Sequence, residues 1–395
     1  MKRFLASYAI GLVLLLGSCN PETETEIEPE NLAINQTFGT KINLNALPNY
    51  ATQAIPTYIR KDNTGANPIT NEKATLGRVL FYDKSLSIDN SISCASCHKQ
   101  ALAFGDTTLA SPGVQGGVTT RHSMRLINTR FAEEIKFFWD ERAATLEAQV
   151  TNPIQDHAEL GFSGQTGRPN FASLLTKLNG IAYYKELFQL AYGSPTITEQ
   201  RIQESLANFI RSIQSFDSKF DAGRAIAPND EAPFQNFTAQ ENLGKQLFLT
   251  PPVFNPNSVR TSGGAGCQGC HRAPEFDIDP NTRNNGIVRR IAGGALDLTN
   301  TRSPSLRDVV NSTGGSNGPL MHNGVFATLQ NVMGHYNTIP IVQGNNNLDA
   351  RLAPGGIGQN LNLTAAETAA LVAFVRTLSG RDVYTNEKWS NPFNQ

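Results

Sequence analysis

The chain reads Cys-x-x-Cys-His twice, as Cys94-Ala95-Ser96-Cys97-His98 and as Cys267-Gln268-Gly269-Cys270-His271. Two thiols at this spacing can each form a thioether with one vinyl group of the same porphyrin, and the adjoining imidazole then reaches the iron from the same side. The pattern predicts two covalently attached c-type haems, with Cys94, Cys97, Cys267 and Cys270 as attachment points and His98 and His271 as iron ligands. Four of the five cysteines are used in this way, and no Cys/His pairing of zinc-finger spacing is left over.

The fifth cysteine bears on destination. Lys2 and Arg3 precede an apolar run from Ile10 to Leu16, followed by Leu16-Gly17-Ser18-Cys19. This reads as a lipoprotein signal over residues 1–19, with Cys19 lipidated, because the run is too short to span a bilayer. Residues 20–50, with Pro21-Glu22-Thr23-Glu24-Thr25-Glu26, read as a disordered, solvated tether. The expected location is the bacterial cell envelope, lipid-anchored, on the periplasmic side or at the outer-membrane surface. About 345 residues remain, enough for two domains, and the net charge of −1 gives no reason to expect nucleic acid.

An internal repeat organises the remainder. Leu76-Gly77-Arg78-Val79-Leu80-Phe81 precedes the first motif and Leu243-Gly244-Lys245-Gln246-Leu247-Phe248 the second, each as the end of a short amphipathic helix. Thr238 with Glu241, and Thr364 with Glu367, form capping boxes, the second opening a helix from Ala365 to Leu378 with Gly380 as its stop. Residues 174–216 also carry helical spacing, and alternating strand patterns are few. The fold expected is mainly α, with two c-type cytochrome-like haem domains, an N-terminal one over 51–220 and a C-terminal one over 221–395.

Two haems serve either electron transfer or chemistry. A carrier fills both axial positions of each iron, whereas peroxide activation needs one open position with acid–base groups above it. Here Ala103-Phe104-Gly105-Asp106, Phe138-Trp139-Asp140-Glu141-Arg142-Ala143, Leu146-Glu147-Ala148-Gln149, Glu159-Leu160-Gly161, Ser303-Pro304-Ser305-Leu306-Arg307 and Met321-His322-Asn323-Gly324 follow in order. Over residues 70–380 the chain resembles the bacterial di-haem cytochrome c peroxidases. The resemblance implies reduction of H2O2 to water at the N-terminal haem, with electrons from a small cytochrome c or copper protein entering through the C-terminal haem. It makes Glu159 the distal carboxylate, Gln149 the distal amide and Trp139 the indole between the haems. It also leaves a homodimer open.

Three departures from the ordinary family pattern matter. Ser111-Pro112-Gly113-Val114 has valine where ordinary members carry a displaceable histidine ligand, so the first haem is expected to be open without reductive activation. Arg121-His122 stands where an asparagine lies at a calcium site, leaving His122 as a haem cap, a group behind the ligands, or a surface histidine. The family's remaining calcium positions fall on the backbone carbonyls of Asn317 and Pro319, hard oxygen donors that suit Ca2+. The axial methionine position of the second haem falls on Tyr336, with Met333 one helical turn earlier as the alternative. Valine and tyrosine together are similar to the MauG-like subgroup, which matures a tryptophan-derived protein cofactor. Three functions follow from these residues: a peroxidase, an enzyme oxidising a residue of a protein substrate, and a non-catalytic two-haem carrier. His157, near Glu159, and His335, beside Tyr336, read as solvated or secondary groups.

Overall fold

The computed structural model describes residues 31–132, 136–278, 282–291 and 293–393. The lipoprotein signal and Cys19 lie outside them. Among the described residues the fold is mainly α, with two small antiparallel pairs, Pro252–Phe254 with Arg260–Gly263 and His271–Arg272 with Asp277–Ile278.

Two helix crossings build the molecule. In the first, Asn71–Tyr82 packs on Glu199–Ser212, each opened by a threonine whose hydroxyl accepts from the backbone of the first turn. In the second, Ala239–Leu249 packs on Ala365–Arg376, and both helices carry the expected capping boxes. The glycine of the repeat is the contact point in both. A Cβ on Gly77 would sit 2.0 Å from the Ser205 carbonyl oxygen, and one on Gly244 would sit 1.9 Å from that of Ala370. Each helix therefore lies backbone against backbone at the same place in the repeat, a distance only glycine allows. The next residue is a buried cation in both copies. Arg78 Nε donates to the Ser390 carbonyl at 2.6 Å, while Lys245 Nζ donates to the carbonyls of Ala232, at 2.7 Å, and Asp230.

Apolar side chains form two cores. The chain leaves the first after Ile213 and enters the second at Phe220. Arg307, fully buried, ties the crossing point by an ion pair to Asp221 at 2.9 Å. Helices Phe171–Asn179 and Ala182–Tyr192 complete the helical stretch expected over 174–216.

Three features differ from expectation. Residues 31–50 are not a solvated tether: Leu32–Phe38 is a helix whose Ile34 and Phe38 are wholly buried. Glu186 accepts from the free N–H groups of Ala33 and Ile34 at the start of that helix. The chain end also returns to the first core instead of closing the second, since Val383 and Trp389 are buried there. Gly380 ends no helix in a left-handed turn. It is small because Asp217 Oδ1 would stand 2.0 Å from its Cβ.

Substituting Gly244 by alanine must part the two helices or their backbones. Overpacking of this kind costs about 1–3 kcal/mol. We expect Gly244→Ala to lower the melting temperature by several degrees, and Gly77→Ala to do the same through the first core. Circular dichroism melts of the purified variants check both.

Candidate haem sites and the wall between them

Cys94, Cys97 and His98 line one cavity with Phe81, Leu206 and Ile210 from the first helix crossing. His98 Nδ1 lies 3.1 Å from the Phe104 carbonyl. A carbonyl can only accept, so the proton is on Nδ1 and the Nε2 lone pair is left for a metal. Ala103 and Phe104 both have positive φ, at 54° and 58°, and this turn aims the carbonyl at the ring. Burial holds the His98 pKa below the usual histidine value, so the ring stays neutral.

The second cavity is lined by Cys267, Cys270 and His271 with Phe248, Leu371 and Val375 from the second crossing. The His271 Nδ1 is buried without a well-formed hydrogen bond, although the Pro304 carbonyl lies near enough to favour its protonated form. Burial dominates and pulls His271 down to about 4. None of the four cysteines is in a disulfide. Paired thiols beside a neutral histidine, in an apolar cavity walled by one helix crossing, fit a covalently held haem in each half.

Tyr336 and Met333 both come from the helix Leu329–Asn337 and both face the second cavity. Tyr336 also lines a smaller cavity, shared with His271, that leads toward the first site, whereas Met333 does not. Burial holds its phenol above the usual tyrosine pKa, with the Cys270 charge adding to the effect. His335 stays outside both cavities. Its Nε2–H donates to the Asn285 carbonyl at 2.9 Å, and its ring lies edge-on to Tyr336 at 5.0 Å.

Glu159 and Gln149 share the first cavity with His98. Gln149 is carried by the short helix Leu146–Val150, which Thr145 caps. Glu159 is held by its backbone: its N–H donates to Asp156 Oδ1 at 3.0 Å and its carbonyl accepts from Val114 N at 2.9 Å. The Val114 loop lies flat on this segment, because a Cβ on Gly113 or Gly117 would stand 1.8 or 2.3 Å from the Ala158 carbonyl oxygen. Val114 is wholly buried against the segment and does not line the cavity. Burial pushes the Glu159 carboxyl up to about 7; the Asp156 charge adds to this and Arg142 opposes it. His157 is exposed, with Nδ1 3.0 Å from Ser163 Oγ, in line with a solvated role.

The wall between the cavities holds a cluster that the sequence reading only half identified. Trp139, His122, Ser123, Met124, Arg125 and Arg302 line both the first cavity and the connecting one. Trp139 sits in a tight turn between Phe138 and Glu141, both at positive φ. Its Nε1–H donates to the His122 carbonyl at 2.7 Å, and its own carbonyl accepts from Arg302 N at 2.7 Å. His122 N donates in turn to the His322 carbonyl at 2.8 Å, and the Trp139 and His322 rings lie 6.2 Å apart. The surface reading of His122 is therefore wrong: the residue is 4% exposed, and its Nδ1–H donates to the Thr108 carbonyl at 2.8 Å. Its place gave no periodic signal, since it lies in an irregular segment. Asn317 is buried in the same region, with Nδ2 on the Asp308 carbonyl and the Tyr384 hydroxyl and with Oδ1 unpartnered. Pro319 lines the connecting cavity.

The sequence model of the di-haem cytochrome c peroxidases matches residues 71–226. Over that stretch the chain is similar to this family. The chain is 29% identical to methylamine utilization protein MauG of Methylophilus methylotrophus, over 80% of this chain and 84% of the relative. It is 29% identical to cytochrome-c peroxidase IdrP1 of Denitromonas iodatirespirans, over 79% and 83%. Among solved structures, a MauG-like protein associated with microbial copper homeostasis superposes with a TM-score of 0.65 at 27% identity, covering 86% of this chain and 99% of that one. The two cavities agree with the two haems in the description of that family.

The Val114 loop supports Glu159 only if Gly113 stays small. We expect Gly113→Val to leave both haems attached, as measured by the pyridine haemochrome, while slowing the peroxide reaction about 100-fold, the scale of a 1 Å misplacement. Stopped-flow absorbance after H2O2 addition reads that rate.

Proposed function

We propose that the protein is a cytochrome c peroxidase that reduces H2O2 to water at the His98 site, with electrons from a small cytochrome c or copper protein. The observation that carries this reading is the half-buried Glu159 carboxyl, its pKa raised to about 7, in the same cavity as Cys94, Cys97 and His98. A haem bound there would supply the iron that binds peroxide and the electrons that break its O–O bond. The rest falls to the chain. As carboxylate, Glu159 takes a proton from one peroxide oxygen, and as the acid it has become it returns that proton to the departing one. Gln149 orients peroxide through its amide. Trp139, the indole common to the first and connecting cavities, offers the electron path between the sites, and Tyr336, with Met333 as the alternative, closes the second site.

A second reading, oxidation of a residue in a protein substrate, is favoured by Tyr336 and Val114, two of the positions that depart from the ordinary family pattern. It uses the same Glu159 site and differs in its donor, so turnover with reduced cytochrome, copper protein or candidate protein substrates separates the two. A non-catalytic carrier would have no use for Glu159.

Three finer parts belong to this proposal. One calcium ion would rest on the carbonyls of Asn317 and Pro319, supported by the unpartnered Asn317 Oδ1, and metal analysis before and after chelation tests it. Cys19 would carry a lipid that anchors the protein in the envelope, which intact mass of the membrane fraction reads. Assembly as a homodimer is open to light scattering.

The deciding experiment is low-temperature EPR of the ferric protein before and after one equivalent of H2O2. We expect one high-spin signal that peroxide removes without prior reduction; two low-spin haems unresponsive to peroxide would overturn the open site. The base is active when ionised, so the peroxide reaction should accelerate as pH rises through about 7, where burial has placed Glu159. Glu159→Gln should cost about 10²–10⁴-fold in that rate and abolish the pH dependence.

A further inference from the structure

Behind Cys94 lies a cluster that this function does not use. Asp83 is 6% exposed, and its Oδ2 accepts from two phenols at once, Tyr184 at 2.6 Å and Tyr183 at 2.8 Å. Its other oxygen accepts from Ser85 N at 2.7 Å. No ion-pair partner of Asp83 is found among the described residues. The cation nearest in effect, Lys177, spends its Nζ on the Ser87 carbonyl and Asn90 Oδ1. A buried carboxylate without an ion-pair partner is a costly group to keep, and two phenols directed at one of its oxygens place that oxygen to receive the proton of either.

The geometry links this cluster to the His98 site on one side and to the surface on the other. Tyr184 is fully buried in the first core, against which Cys94 packs, and Cys94 lies near the Tyr184 phenol. The Tyr183 and Tyr184 rings are 4.8 Å apart. Tyr183 is only partly buried, and its ring meets Phe38 at 5.3 Å and Phe393 at 6.2 Å.

We propose that Tyr184 and Tyr183, sharing Asp83 as one proton acceptor, form a relay that carries an oxidising equivalent from the His98 haem site toward the surface when no reduced donor is bound. The relay rests on the peroxidase reading, because peroxide is the oxidant. Tyr184 gives one electron to the peroxide-oxidised site and its phenolic proton to Asp83 Oδ2, becoming a neutral radical. Tyr183 then gives an electron to that radical; Oδ2 returns its proton to Tyr184 and takes that of Tyr183. The radical has moved one ring outward with no net change at Asp83, an exchange that needs both phenols on the same oxygen. An electron from an exogenous reductant at the surface then restores Tyr183, with Oδ2 returning its proton, so that Asp83 ends as the carboxylate it began as.

The test is freeze-quench EPR of the ferric di-haem holoenzyme after one equivalent of H2O2 without donor, repeated on protein grown with ring-deuterated tyrosine. We expect an organic radical that narrows on deuteration. It should be lost in Tyr184→Phe and in Asp83→Asn, and should persist with altered line shape in Tyr183→Phe. Haem spectra before peroxide should be unchanged in all three, and a thermal melt of each separates loss of the relay from loss of the fold. If peroxide removes the high-spin haem signal but no tyrosyl radical forms, or it survives undiminished in Tyr184→Phe, the relay is overturned and the peroxidase reading stands. A haem that does not respond to peroxide overturns both.

Discussion

Everything in this structure depends on how closely two helices can approach. At Gly77 and at Gly244 one helix presses its backbone onto a carbonyl of its partner, and the same crossing then supplies the wall of a haem cavity. Phe81, Leu206 and Ile210 face the first cavity, and Phe248, Leu371 and Val375 face the second. A larger residue at either glycine would move that wall relative to the short Cys-x-x-Cys-His loop beside it. The covalent attachment chemistry needs only two thiols and an imidazole in sequence; the shape of the space they face comes from the crossing. Because Arg78, after the first glycine, reaches the Ser390 carbonyl far along the chain, and Lys245, after the second, holds the nearby carbonyls of Asp230 and Ala232, each crossing also fixes where those segments lie.

The two halves meet through backbone carbonyls as much as through side chains. Trp139 binds the carbonyl of His122, and His122 binds that of His322, so residues from three separate segments hold one indole against the wall of both sites. Such bonds do not depend on the identity of the accepting residue, and this explains why His122 can stand where another side chain is usual without loosening Trp139. Its own ring turns to the Thr108 carbonyl and remains neutral, since burial keeps its pKa below the usual histidine value. The wall is thus built from neutral and hydrogen-bonded groups, with Arg125 and Arg302 as its cations.

Much of this was legible in the sequence, and the rest was hidden for identifiable reasons. The haem motifs, the capping threonines and the repeat announce themselves because each follows from local chemistry. The function of the repeat's glycine did not, since a close approach is a property of the partner helix and of Ser205 or Ala370, far away in the chain. Residues 31–50 looked solvated because their composition is polar. Their buried side chains are few: Ile34 and Phe38, one helical turn apart, then Ile42 and Tyr50. The return of Val383 and Trp389 to the first core has no local signature at all. Glu159 and Gln149 could be named only by resemblance, because a loop carboxylate and a helix amide look ordinary until a fold brings them into one cavity.

That cavity shows why valine at position 114 matters beyond being unable to bind iron. The loop that carries it is spent on another task. With Gly113 and Gly117 laid against Ala158, and Val114 N on the Glu159 carbonyl, the loop serves as the support from which the carboxylate projects. A loop that had to swing in and out of the site to cap and uncap a metal would release Glu159 each time it moved. Keeping the loop fixed keeps the acid–base group fixed, and a half-buried carboxyl, its pKa raised by desolvation and by Asp156 and lowered by Arg142, lies close to the midpoint between its charged and neutral forms at neutral pH. A group that must first accept a proton and then return it works best at that midpoint, so a fixed loop and a balanced carboxyl are two parts of one solution.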